Sequence, residues 1–88
     1  MKKVVSVTEV SGEGLEAFLG EKVLLMCTNY FYTGVLTGVN EEYVLLESPA
    51  IVYETGEWSA KSYKDAQPLG IDKWYVIKSA IESFGAAK

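Results

Sequence analysis

The sequence predicts a mostly β fold: a short helix followed by a strongly bent antiparallel sheet of five strands. Three observations lead there. From Glu21 to Tyr53 the chain reads as three apolar runs rich in Val, Leu, Tyr and Thr, separated by Thr28-Asn29 and by Val39-Asn40-Glu41-Glu42, which are strand and turn signals. Two shorter runs, Lys73–Lys78 and Ile81–Phe84, supply two more strands. Gly34 and Gly38 lie inside the second run, and glycine within a strand marks a bend, a bulge or a close backbone approach. With 88 residues, 49% of them hydrophobic, and two Pro, the chain reads as one domain, 1–88, with one modest core.

Taken in order, Lys2–Val10 alternates weakly and reads as an arm or an edge strand, 1–10. Ser11 can cap a short helix whose Leu15, Phe18 and Leu19 fall at i, i+3, i+4 spacing, and Gly20 can close it. So short a helix needs the sheet for support, so the stripe is read as core packing. Val23–Thr28 is apolar at nearly every position, the mark of a central strand covered on both faces. Asn29 suits a tight reversal into Phe31. In the next run Gly34 and Gly38 flank Leu36 on one face, with Phe31, Val35 and Val39 on the other. The third run sets Tyr43, Leu45 and Glu47 against Val44 and Leu46, with Tyr43 assigned to the core. It continues past Pro49, which has no N–H, so its far half is either an edge or bulged.

The polar segment Glu54–Asp72, with Gly56, Pro68 and Gly70, reads as a variable, mobile loop, 54–72, with Trp58 and Trp74 facing each other across its base. Lys73–Lys78 and Ile81–Phe84 follow, joined by a turn at Ser79-Ala80, and Gly85–Lys88 reads as a frayed tail, 85–88.

Charge composition removes several functions at once. All eight basic residues are Lys, so a Ser-His or Cys-His dyad and a His-based metal site are excluded, and the single Cys27 cannot build a thiolate zinc site or a disulfide. Cys27 is expected as a buried apolar side chain. No nucleophile–base pair is visible, so neither an enzyme nor a cofactor is expected. The net charge of −4 exerts no general pull on nucleic acid, and any such binding needs a local patch. No apolar run approaches the roughly 20 residues of a spanning helix, so no membrane partner is expected and a cytoplasmic location is.

Two stretches carry a family resemblance. Gly34-Val35-Leu36 with Val39-Asn40 resembles the Gly-x-Leu/Ile and hydrophobic-Asp pair of the Sm-like proteins, the family of Sm, LSm and Hfq. Lys78-Ser79-Ala80-Ile81-Glu82-Ser83 is similar to the Lys-His-Ala-Ile-Ser-Thr stretch of Hfq, and Ile77-Lys78-Ser79 to the Ile-Arg-Gly of Sm proteins. The match runs from Leu15 to Phe84 and suits a divergent member, of the kind a phage carries. The resemblance implies a small open barrel, assembly into a homo-oligomeric ring, and an RNA site built from Asn40, Glu42, Lys78 and Ser79. The two open edges, Lys73–Lys78 and Ile81–Phe84, would pair between subunits, with Val76, Ile77, Ile81 and Phe84 at the interface.

The departures weaken base recognition. Where the family stacks an aromatic or His on a uracil the chain has Glu42, and where an Asn reads the base edge it has Val44. Lys78 keeps the charge of the family's Arg but not its planar, bidentate geometry. The expected function is therefore a ring that binds RNA weakly and with little uridine selectivity. The alternative is a structural or adaptor ring that binds protein, with a decayed nucleotide pocket.

Overall fold

The computed structural model describes residues 14–88. The Ser11 cap and the 1–10 arm lie outside them. Leu15–Phe18 forms one 3-10 turn rather than a longer helix, and Gly20 follows with φ +86°, as its role in closing the turn requires. Leu15 and Phe18 pack against the core. Leu19 does not: it is 47% exposed, because the chain has already left the turn in an extended conformation (φ −55°, ψ 128°).

The strands are β1 (Lys22–Cys27), β2 (Phe31–Val39), β3 (Tyr43–Glu54), β4 (Asp65–Pro68), β5 (Lys73–Ile77) and β6 (Ile81–Ala86), with a 3-10 turn, Lys78–Ala80, between the last two. They form one antiparallel sheet in the order β4-β3-β2-β1-β6, with β5 also on β3. The sheet thus has six strands, not five. The extra one, β4, lies inside the segment expected to be a loop. Asp-Ala-Gln-Pro has neither β-branched residues nor apolar alternation, and only its pairing with Ala50–Glu54 of β3 makes it a strand.

As expected, β1 is central, between β2 and β6. Its Val23, Leu25 and Cys27 join Leu36, Val44, Leu46 and Val76 in the core. Thr33, the buried polar residue among those described, donates its hydroxyl hydrogen bond to the Val23 carbonyl at 2.9 Å.

Curvature arises where the glycines suggested. The β2–β3 register slips twice, between Thr33 and Val35 and between Leu36 and Gly38. A Cβ on Gly34 would lie 2.9 Å from the Glu47 carbonyl oxygen, so this is a close backbone approach that only glycine permits. Across from it Ser48 takes a positive φ of 50° and Pro49 is buried. Here β3 is bulged, and it changes its outer partner from β5 (Tyr43–Glu47) to β4 (Ala50–Glu54).

The bend brings the turns at the two ends of β2 close together. β2 has nine residues, about 30 Å if straight. Yet the three-residue Lys78–Ala80 turn touches both hairpins that flank β2: Lys78 N–H bonds the Glu42 carbonyl at 2.8 Å, and Thr28 N–H bonds the Ala80 carbonyl at 3.1 Å. A turn that spans at most about 10 Å can do so only if β2 curls.

Two further expectations fail. Gly85–Lys88 is tied down rather than frayed: β6 runs on to Ala86, Ala87 N–H bonds the Lys22 carbonyl at 3.0 Å, and the Lys88 ammonium is bound by the 55–63 loop. Trp58 and Trp74 do not pair. Trp74 sits opposite Leu46 and packs on the core, while Trp58 lines a pocket with Leu24 and Met26 of β1. The extra strand β4 separates the two ends of the segment that was to bring them together. Among the described residues, no helix is long and apolar enough to cross a membrane.

Candidate functional site

The site is built on the turn between β2 and β3. The Asn40 side-chain oxygen accepts hydrogen bonds from the N–H groups of Glu42 and Tyr43, both at 2.8 Å, and Asn40 N–H bonds the Tyr43 carbonyl at 3.0 Å. An Asn here suits a tight turn because its side chain substitutes for a backbone acceptor. Its acceptor is therefore engaged in folding, which leaves only its amide NH2 to face a ligand.

The Lys78 N–H bond to the Glu42 carbonyl joins this turn to the Lys78–Ala80 turn. Asn40, Glu42, Lys78 and Ser79 are therefore neighbours, although Asn40 and Lys78 stand far apart in the chain. Asn40, Glu42 and Ser79 are exposed and Lys78 is half-buried. Among the described residues, the one ion pair is Lys64 with Glu54 at 3.3 Å, far along β3 from this turn. Two carboxylates, Glu41 and Glu42, stand on the turn beside one ammonium, so a single copy presents no net positive patch.

Val44, which the resemblance would set at an edge-reading Asn, is wholly buried in the core. The buried face of this half of β3 is that of Val44 and Leu46, so Tyr43 points outward. It is exposed, contrary to its assignment to the core, and meets Tyr75 edge to face at 5.1 Å between ring centroids.

Of the four interface residues named from sequence, Ile77 and Phe84 are exposed, Ile81 is half-buried and Val76 is core. Backbone alternation sharpens this picture. Because Lys78 N–H bonds the Glu42 carbonyl, Val76 also directs its N–H to β3, and the N–H groups of Tyr75 and Ile77 point to the open side. On β6, the bond from Ala87 N–H to Lys22 likewise turns Phe84 and Ala86 outward. The third edge, β4, is short and carries Asp65 and Pro68, features that discourage pairing.

Cys27 is buried, and desolvation, with the Glu82 carboxylate second, raises its thiol above the usual range. Burial and that shift both disfavour the thiolate form. Sequence reasoning missed two features: the exposed Tyr43–Tyr75 pair, and the binding of Lys88 by Trp58 and Tyr63. An aromatic pair in an otherwise polar 58–63 stretch was the available signal for the second. The chain matches no protein-family model and no curated protein sequence.

Proposed function

We propose that this protein is a ring-forming, Sm-like subunit that contacts RNA weakly through the turn cluster Asn40, Lys78 and Ser79. One observation carries the reading. The Lys78–Glu42 bond ties the second of the segments that resemble the family's motifs to the turn that begins at the end of the first, and the Lys78–Ala80 turn within that second segment joins β5 and β6, the two unprotected edges. Pairing β5 of one subunit with β6 of the next is a head-to-tail contact, and such contacts close into rings when the rotation permits. Ring symmetry would bring every copy of Lys78 and Ser79 to one rim. One Lys beside two carboxylates attracts little phosphate, whereas a repeated weak site gains by multivalency.

Base selectivity should be poor, since Glu42 offers no stacking face and Val44 no edge reader. The same two residues favour a second reading, an adaptor ring that binds protein, with Tyr43 and Tyr75 on its outer surface. Light scattering at micromolar concentration, followed by titration with oligouridine, oligoadenosine and oligocytidine at two salt concentrations, tests both. A ring with weak, salt-dependent, unselective binding that Lys78→Ala abolishes supports the first. A ring without binding supports the second, and a monomer overturns both. Ile77→Pro and Phe84→Pro, which remove outward-pointing N–H donors on β5 and β6, should break the ring.

A further inference from the structure

We propose that the Thr55–Tyr63 loop is a recognition site for a primary ammonium group, a lysine side chain, and that Lys88 is its resident ligand. The Lys88 ammonium donates to the carbonyl oxygens of Thr55 at 2.9 Å and Glu57 at 2.6 Å. It also lies 5.4 Å from the Trp58 ring centroid and 5.2 Å from that of Tyr63. The Tyr63 hydroxyl accepts the Lys88 backbone N–H at 3.2 Å, so the site holds the main chain as well as the side chain.

The loop is arranged by its own bonds. Lys64 N–H, from the residue that follows the loop, also bonds the Thr55 carbonyl, at 3.4 Å, and Ala60 N–H the Glu57 carbonyl, at 3.0 Å, so both acceptors are held in place. Between them Gly56 has φ +72°, which a side chain would resist; its Cβ would also lie 3.1 Å from the Lys64 Cβ. That residue lets two carbonyls, one position apart on either side of it, converge on one cation.

The chemistry defines the ligand. Two carbonyls at hydrogen-bond distance require N–H donors, and two aromatic faces require positive charge on a compact group. A primary ammonium on an unbranched chain meets both demands. A quaternary ammonium satisfies only the rings. Occupancy also has a structural consequence, because Trp58 lines one pocket with Leu24 and Met26 of β1 and Ser83 to Ala86 of β6. The bound lysine thus fastens the loop beside an open sheet edge, and another lysine that took its place would compete with that fastening.

The test uses the full chain with Lys88→Ala, with Lys88→Gln as a second variant should the first fail to fold, and circular dichroism to check both. The Trp58 indole N–H resonance, identified by its loss in Trp58→Phe, is followed during titration with n-butylammonium and with tetramethylammonium. We expect that resonance to move in Lys88→Ala and to return toward its wild-type position, saturably, with n-butylammonium. Tetramethylammonium should leave it in place. Wild type should need at least about tenfold more n-butylammonium, since a tethered lysine competes at millimolar effective concentration or above. An unchanged Trp58 resonance in both Lys88 variants, no saturable response to n-butylammonium, or an equal response to tetramethylammonium overturns the proposal.

Discussion

Gly34→Ala is the substitution that tests the bend most directly. A Cβ there would meet the Glu47 carbonyl oxygen at 2.9 Å, the Leu46 Cβ at 3.2 Å and the Pro49 Cα at 3.4 Å. None of these is the free end of a flexible side chain. All three belong to β3 at the point where it is bulged, so relief requires the two strands to separate. Overpacking of this kind costs roughly 1–3 kcal/mol, set against a total stability of roughly 5–15 kcal/mol. With a urea m-value of about 1–1.5 kcal/mol/M for a domain this small, the midpoint should fall by about 0.7–3 M. Gly38→Ala is the internal control, because its Cβ would meet only the Leu45 side chain, at 3.4 Å and beyond, which is ordinary contact. It should change stability by less than about 1 kcal/mol, in either direction. Both variants are compared with wild type by urea unfolding at a common m. Equal midpoints for Gly34→Ala and wild type would refute the claim that close approach at Gly34 sets the bend.

Asn40→Ala should destabilise by about 1–2 kcal/mol, since two turn N–H groups lose their shared acceptor, whereas Asn40→Asp keeps that acceptor and should be tolerated; thermal melts of the pair decide it. Replacing 59–70 with a short Gly-containing turn removes β4 and Tyr63, so it should lower stability on the order of 2–4 kcal/mol, and an unaffected unfolding curve would show β4 to be dispensable. Cys27 should resist alkylation near neutral pH until the protein unfolds, because its thiol is buried and held protonated. The same shift sets a sign for pH dependence. With the folded-state pKa raised, the contribution is complete below the unfolded thiol value of about 8.5 and is lost as pH climbs through the folded one. Stability should therefore fall on the alkaline side, and Cys27→Ser or Cys27→Ala should flatten that decline.

The sequence by itself determined the features that depend on local pattern. Continuous burial of β1 followed from an apolar run with no polar face, the β1–β2 and β2–β3 reversals from Asn29 and Asn40, and the bend from Gly34, because periodicity and backbone freedom are properties of neighbouring residues. Tertiary structure decided whatever depended on partners distant in the chain. Asp65–Pro68 became a strand only because β3 offered it an unpaired edge, and Tyr43 went outward because the fold buried the Val44 and Leu46 face. Lys88 became an anchor only where the Thr55 and Glu57 carbonyls converged on it. The turn cluster shows the division most clearly. Asn40 was legible as a turn residue and Lys78 as the end of a strand, but they became neighbours only because β2 curls enough for the Lys78–Ala80 turn to reach both of its ends. That closure depends on hydrogen bonds between residues whose separation in the chain no local pattern encodes.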